Sequence, residues 1–233
     1  GFDQMMWLGP ATDPNSAASY RVFNMDGSEV EQCGNGVRCV ARALAGQSTE
    51  NQSLTLEGPA GLVRAMILEG DLVSISMGAP EFAPERIPFA APAEALQYPL
   101  DVEGTTFDVV VLSMGNPHCV LQVPDVAIAP VASLGVLIEH HERFPQRVNV
   151  GFMHVVDRTT IDLRVHERGV GETQACGTGA CAAMVAGNRL GLLDTDVTVH
   201  LPGGQVMVSW RGGKEPVWLT GNAELISEGT VEL

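Results

Sequence analysis

Two short runs in this 233-residue chain join a cysteine to glycines in the same pattern. Cys33-Gly34-Asn35-Gly36 follows Glu29-Val30-Glu31-Gln32, and Cys176-Gly177-Thr178-Gly179 follows Glu172-Thr173-Gln174-Ala175. Aligned on the cysteines, the offset is 143 (176 minus 33), and Glu, Cys, Gly and Gly coincide without a gap. In each copy the cysteine stands where a strand or turn gives way to a helix. A thiol at a helix N-terminus feels the positive end of the dipole, which favours the thiolate. The glycines let backbone N–H groups point into open space, where they bind anions, carboxylates included. Two such units facing each other predict one device: a carboxylate held by two helix ends, with its α-carbon between two sulfurs. One thiolate removes the α-proton while the opposite thiol delivers a proton to the other face. The helix dipoles stabilise charge that builds on the carboxylate, and no cofactor is demanded. The competing reading is a pair of buried structural cysteines, since Cys is a common core residue. A core, however, does not need Gly-X-Gly directly after the thiol in both copies. Cys39, Cys119 and Cys181, which lack that context, read as core.

The elements that position the two cysteines also read twice. Met77-Gly78-Ala79-Pro80-Glu81-Phe82 aligns with Thr220-Gly221-Asn222-Ala223-Glu224-Leu225 at the same offset, and Leu56-Glu57-Gly58 with Leu201-Pro202-Gly203 at a slightly different one. Two copies are too few for a solenoid and point to a pseudo-symmetric two-domain protein. Short runs rich in Val, Ile and Thr predict strands over 20–24, 54–56, 63–68, 72–77, 106–112, 148–156, 161–166, 197–201, 206–210 and 217–219. Several alternate apolar with polar, as antiparallel sheets with one wet face do. Helices are expected over 37–45, ended by Gly46, over 177–190, and over 130–139. Ala180 to Ala186 is apolar on every side, so that helix should be buried all round. The expected class is α+β: two pseudo-symmetric domains, each a mostly antiparallel sheet rolled around a central helix, with the active site in the cleft between them. The first half is expected over 1–77 plus 222–233 and the second over 78–221. Ala90 to Ala95 reads as a surface loop.

Composition narrows the function classes. With 45% hydrophobic and 18% charged residues the chain is of ordinary globular type. A formal net charge of −15 repels phosphate backbones and argues against a nucleic-acid partner. Apolar runs such as Val109-Val110-Val111-Leu112 are too short to span a bilayer. Five cysteines without a basic-then-apolar leader argue for a reducing cytoplasm rather than a disulfide framework. Neither cysteine pair has His at zinc-ligand spacing. His140, His141, His154, His166 and His200 read as structural or surface residues.

Five longer motifs carry a resemblance. They are Asn24-Met25-Asp26-Gly27-Ser28-Glu29; Gln32-Cys33-Gly34-Asn35-Gly36-Val37-Arg38-Cys39; Met114-Gly115-Asn116-Pro117-His118; Arg147-Val148-Asn149-Val150-Gly151-Phe152; and the run from Glu167-Arg168-Gly169 through Cys176-Gly177-Thr178-Gly179-Ala180. On these, and along its whole length, the chain resembles diaminopimelate epimerase, of the proline racemase and diaminopimelate epimerase superfamily. The resemblance implies interconversion of LL-2,6-diaminopimelate and its meso form in bacterial lysine and peptidoglycan precursor synthesis. It implies Cys33 and Cys176 as a thiol–thiolate pair, no pyridoxal phosphate, no metal, and a homodimer. Backbone donors of Gly34, Asn35, Gly177 and Thr178 would hold the reacting carboxylate; the common residue at the last position is Ser. Asn24, Asn116, Asn149 and Arg168 would hold the distal amino-acid end, where Arg offers a bidentate fork and Asn amides serve both an ammonium and a carboxylate. Gln4 would line the same cleft, and His118 and Glu167 would sit near the thiols. Asn near Gly or Pro also reads as a turn former, and His118 as a structural residue. The family carries a further N-terminal stretch, with opening strands and a Gly-Asn-Asp-Phe motif, ahead of the match to Gly1-Phe2-Asp3-Gln4. A chain without it is expected to expose a sheet edge in the first half.

Three alternatives remain on the sequence. One is a proline-type racemase of the same superfamily; the second zwitterion-binding set, Asn24, Asn116, Asn149 and Arg168, argues against it. Another is a thiol-redox protein, in which the two cysteines close into a disulfide. The last is a truncated, inactive binding domain.

Overall fold

The β-branched runs form strands and the glycines between them turn the chain, and the arrangement that results occurs twice. The computed structural model describes residues 4–30, 33–46 and 51–230. Residues 1–3, and Glu31 and Gln32 of the first cysteine motif, lie outside the described residues. The chain divides into two compact units, Gly1–Ser76 with Leu219–Leu233, and Met77–Trp218. Their limits fall at 76/77 and 218/219, against 77/78 and 221/222 from the repeat.

The first unit opens with β1 (Gln4–Gly9), β2 (Ala18–Asn24) and β3 (Glu29–Val30), followed by α1 (Gly34–Ala45), β4 (Gln52–Gly58), β5 (Gly61–Ile67) and β6 (Leu72–Ser76). β2 pairs antiparallel with β1 and β3, and parallel with β4 through Ala18↔Leu56. β4, β5 and β6 continue as an antiparallel meander. Helix α1 lays Val37, Val40 and Ala41 against β1, β4, β5 and β6 and stops at Gly46, whose φ of 60° suits glycine. Its opposite face carries Asn35, Cys39 and Ala43, four residues apart, all exposed. Cys39 is therefore a surface cysteine, not the core residue expected, because it falls on the outward stripe of an amphipathic helix.

The second unit begins with a 3₁₀ turn at Pro84–Arg86 and the strands β7 (Tyr98–Val102), β8 (Thr105–Ser113) and β9 (Pro117–Gln122). Then come α2 (Val131–Glu139), β10 (Asn149–Asp157), β11 (Thr160–Glu167), β12 (Gly171–Thr173), α3 (Gly177–Arg189), β13 (Asp196–Leu201) and β14 (Gly204–Ser209). The sheet order is β14-β13-β11-β10-β9-β8-β7, with β12 beside β11. β9–β10 and β11–β13 are parallel; the other pairs are antiparallel. The last strand, β15 (Trp218–Asn222), returns the chain to the first unit, where Thr220 Oγ1 donates to Ser74 Oγ at 2.8 Å.

The segments β1-β2-β3-α1-β4-β5 and β10-β11-β12-α3-β13-β14 follow one plan. Each has a hairpin, a short third strand on its second strand, a helix, and a strand that returns parallel to that second strand before turning back. The repeat read from the cysteines is thus a repeat of topology, and the class is α+β. In both copies the helix begins directly after the short third strand, and a cysteine occupies the junction.

Helix α3 is enclosed as its composition predicts. Ala180, Cys181, Ala182, Ala183, Met184, Val185 and Ala186 are all fully buried, against β8, β9, β10, β11, β13 and β14. Burying the Met184 and Val185 side chains contributes about 1.5–3 kcal/mol each. Helix α2 packs on β10, β11 and β12. It closes a second apolar cluster that includes Ile87, Leu100, Val111, Leu121, Ile138, Phe144 and Phe152, in which the Phe89 ring stacks on Phe144 with centroids 4.9 Å apart.

Candidate active site

Cys33 and Cys176 are the N-cap residues of α1 and α3, with extended backbones (φ −142°, ψ 97° and φ −133°, ψ 106°) that turn into helix at the next residue. This is the geometry in which a short polar side chain can meet the unpaired N–H groups of the first turn. The Cys33 sulfur does so, accepting from the Gly36 N–H at 3.3 Å. Its S–H donates to Gln4 Oε1 at 2.7 Å. The Gln4 amide in turn donates to Asn24 Oδ1 at 3.1 Å, and Asn24 Nδ2 donates to Ser28 Oγ at 3.1 Å. β1, β2 and α1 thus bring Gln4, Asn24, Cys33, Gly34 and Asn35 of the expected set into one group within the first unit.

The second glycine of each motif is favoured by crowding rather than by dihedral angle. A Cβ on Gly36 would lie 2.5 Å from Met6 Sδ and 3.4 Å from the Cys33 sulfur. A Cβ on Gly179 would lie 3.0 Å from Val165 Cγ2 and 3.1 Å from the Cys176 sulfur. In both halves the absent side chain lets the first helical turn sit against a strand with the sulfur beside it.

Cys176 is more deeply placed, 4% exposed. Its sulfur lies 3.7 Å from Thr178 Oγ1. That hydroxyl accepts from Asn116 Nδ2 at 3.3 Å, which leaves its hydrogen for the sulfur. Asn116 Oδ1 meets His118 Nε2 at 3.0 Å. A second route reaches the sulfur through Glu167, whose carboxylate accepts from Thr173 Oγ1 at 2.5 Å and acts electrostatically on Cys176. The last two expected residues, Asn149 and Arg168, are joined to each other. Asn149 Oδ1 accepts from the Arg168 N–H at 3.0 Å and Asn149 Nδ2 donates to the Pro117 carbonyl at 3.0 Å. Asn149 is buried and both ends of its amide hold backbone. The Arg168 guanidinium donates through Nη1 to the Gln146 carbonyl at 3.1 Å.

The electrostatics of the two thiols differ. Burial raises the Cys33 thiol, and the N–H groups of Gly36 and Asn35 offset part of the rise. Burial pushes the Cys176 thiol further, up to about 12, with the Glu167 carboxylate adding to the effect; the Gly179 N–H and Thr178 hydroxyl offset only part. The helix ends therefore temper, but do not overcome, the loss of water around either sulfur. Burial also pulls the His118 imidazole down to about 3, and the nearby Arg168 charge adds to the fall. His118 is thus a neutral ring that orients Asn116 by donating from Nε2, rather than a cation.

Four residues that sequence reading did not single out as site residues touch the expected ones or the turn that carries them: Ser28 on Asn24, Thr173 on Glu167, Gln146 on Arg168, and Glu139 on the Gly169 N–H. Ser28 and Thr173 lie inside the motifs and were within reach of it. Gln146 acts through its carbonyl, which has no sequence signal. Glu139 is legible only as an acidic residue on the buried stripe of α2, and a buried carboxylate needs partners. Among the described residues no three His, Cys, Asp or Glu side chains gather as a metal-ligand set, and no helix is long and apolar enough to cross a membrane.

Comparison with known proteins places this arrangement. The family model described as diaminopimelate epimerase matches residues 4–83 and 110–226. The diaminopimelate epimerase of Pseudomonas syringae pv. tomato is 50% identical over 234 residues, covering 100% of this chain and 85% of that one. That of Pseudomonas fluorescens is 49% identical with the same coverage. Among solved structures, a probable proline racemase from Agrobacterium radiobacter superposes with a TM-score of 0.69 at 18% identity, covering 99% of this chain and 76% of that one. A hydroxyproline epimerase from Agrobacterium vitis gives 0.66 at 19%, covering 94% and 72%. The latter two show a shared fold. With two capped cysteines in one repeated topology, a family model matched over most of its length, and half-identical relatives along all of it, the chain belongs to the diaminopimelate epimerase family.

Proposed function

We propose that the protein epimerises LL-2,6-diaminopimelate to the meso form by two-base proton transfer between Cys33 and Cys176, without a cofactor. The observation that carries the reading is the matched pair of N-cap cysteines. Inversion at a carbon needs one group to take a proton from one face and another to supply one to the other face. Two thiols of the same kind, each at the start of a helix, suit a reaction that runs in both directions.

Residue roles follow from the chemistry. First-turn N–H groups of α1 and α3, from Gly34, Asn35, Gly177 and Thr178, receive the reacting carboxylate and the charge that builds there when the α-proton leaves. Gln4, Asn24, Asn116, Asn149 and Arg168 hold the distal ammonium and carboxylate, Asn149 by fixing the backbone of Arg168. His118 and Glu167 tune and orient. The Glu167 carboxylate acting on Cys176 disfavours its thiolate, which supports Cys176 as the resting proton donor. The same reading places the protein in lysine and peptidoglycan precursor synthesis in the cytoplasm, as a homodimer with a small-molecule substrate and neither nucleic-acid nor membrane partners.

The deciding measurement is α-proton exchange in deuterated water, with no cofactor added, using LL-diaminopimelate and proline in parallel. Deuterium incorporation with inversion of diaminopimelate is expected. Exchange with proline alone sinks the substrate assignment, and exchange that survives replacement of both cysteines sinks the two-base chemistry.

A further inference from the structure

Glu139 ends α2 and is buried, yet it is a carboxylate. Its Oε2 lies 2.9 Å from His166 Nε2 on β11, and its Oε1 accepts the Gly169 N–H at 2.9 Å. Arg147 Nη1, from a residue held at φ 60°, stands 3.6 Å from Oε1. A group so desolvated destabilises a fold unless every lone pair is used, and apolar side chains of the same volume would serve packing better. Helix α2 is further adapted to the pair: a Cβ on Gly135 would lie 2.6 Å from His166 Cγ, so the His166 ring needs glycine there. Glycine inside a helix is itself unfavourable. Two unfavourable features thus converge on one carboxylate, and what that carboxylate holds is the turn that follows β11.

That turn runs from Glu167 to Val170, closed by the Val170 N–H on the Glu167 carbonyl at 3.0 Å. Asn149 grips the Arg168 N–H from β10 and the Gln146 carbonyl receives the guanidinium, while Glu139 grips the next N–H, that of Gly169, from α2. We propose that Glu139 is a positioning residue for the reaction: with His166 and Gly135 it clamps the Glu167–Val170 turn, and so sets Arg168 for the distal carboxylate and Glu167 for Cys176. The inference rests on the roles given above to Arg168 and Glu167.

The test compares Glu139→Leu and Glu139→Gln with wild type, reading epimerisation kinetics on diaminopimelate and amide hydrogen exchange over 167–170. Leu fills the volume but leaves the Gly169 N–H without an acceptor. Gln keeps an acceptor for it, and His166, whose Nδ1 has no partner among the described residues, can shift its proton to accept from the new amide. Glu139→Leu is expected to raise KM about tenfold or more and to speed exchange over 167–170, with exchange in α3 unchanged. Glu139→Gln is expected to recover most of both. On an Arg168→Ala background, Glu139→Leu should raise KM by much less, since the residue it acts through is gone. Unchanged KM and local exchange in folded Glu139→Leu, or faster exchange spread evenly through the second unit, overturns the clamp. Should Glu139→Leu not fold, Glu139→Asp, which withdraws the carboxylate by one methylene, is read by the same criteria. If wild type fails to turn over diaminopimelate, the functional reading falls, while the exchange contrast still decides whether Glu139 holds the turn.

Discussion

Cys33 and Cys176 occupy equivalent places in one repeated topology, and their surroundings have diverged. Cys33 caps an amphipathic helix with one wet face, is half-buried, and meets the Gly36 N–H, the Asn35 N–H and the Gln4 side chain, with the Arg38 charge favouring its thiolate. Cys176 caps a helix enclosed on all sides and has a carboxylate, Glu167, acting on it. Backbone geometry is common to both; the charge in reach of the sulfur is not. An amide neighbour tolerates either thiol or thiolate, whereas a carboxylate disfavours the thiolate. The repeat thus supplies two like groups, and the side chains around them differ in how they weigh on the thiolate, the kind of difference the proposed pairing of an acid with a base calls for.

The comparison breaks most completely if either cysteine proves dispensable. Cys33→Ala and Cys176→Ala should each lower turnover by about a thousandfold or more, measured as product inversion in both directions. A single variant that keeps inversion would mean one sulfur does the work of two. Glu167→Gln should cost about ten- to a hundredfold in turnover. It should also move the pH dependence of Cys176 alkylation to lower pH, because removing a negative neighbour stabilises the thiolate; Cys33 alkylation should stay where it was. The two glycines give a smaller, stability-level contrast. Gly179→Ala forces a methyl against Val165 inside the core and should cost about 1–3 kcal/mol in denaturant unfolding. Gly36→Ala meets the end of the flexible Met6 side chain and should cost less. The smallest effect expected is none at all: His118, held near 3 by burial, should show no imidazole titration between pH 5 and 9 by NMR. A titration there would mean that the ring is a charged partner after all.

What could be read from the chain followed periodicity and small residues. The run Ala180 to Ala186 announced an enclosed helix because nothing in it prefers water. The stop at Gly46 and the strands rich in Val and Ile were equally plain. β7 and β9 were missed because Pro99 and Pro117 interrupt or open them, and Pro in a run argues against a strand until its place in the sheet is known. β1 lay in a run of Met and Trp with no alternation to read. Cys39 was misplaced because burial depends on which stripe of α1 faces the sheet, a matter of one residue in register. What each of the expected site residues touches was not legible. Asn149 spends its amide on the Pro117 carbonyl and the Arg168 N–H, and Glu139 grips a backbone N–H thirty positions away. Both are contacts to main chain, which carries no side-chain code for a reader to follow.

The enclosure of α3 has a thermodynamic consequence at its first turn. Donors that belong to a helix packed on every face are already fixed before an anion arrives, so little chain entropy is lost when one docks against Gly177 and Thr178. Anion capture at that end should therefore appear in calorimetry with a small entropic penalty. The counterpart on α1, whose helix leaves one side to water, should show a larger one.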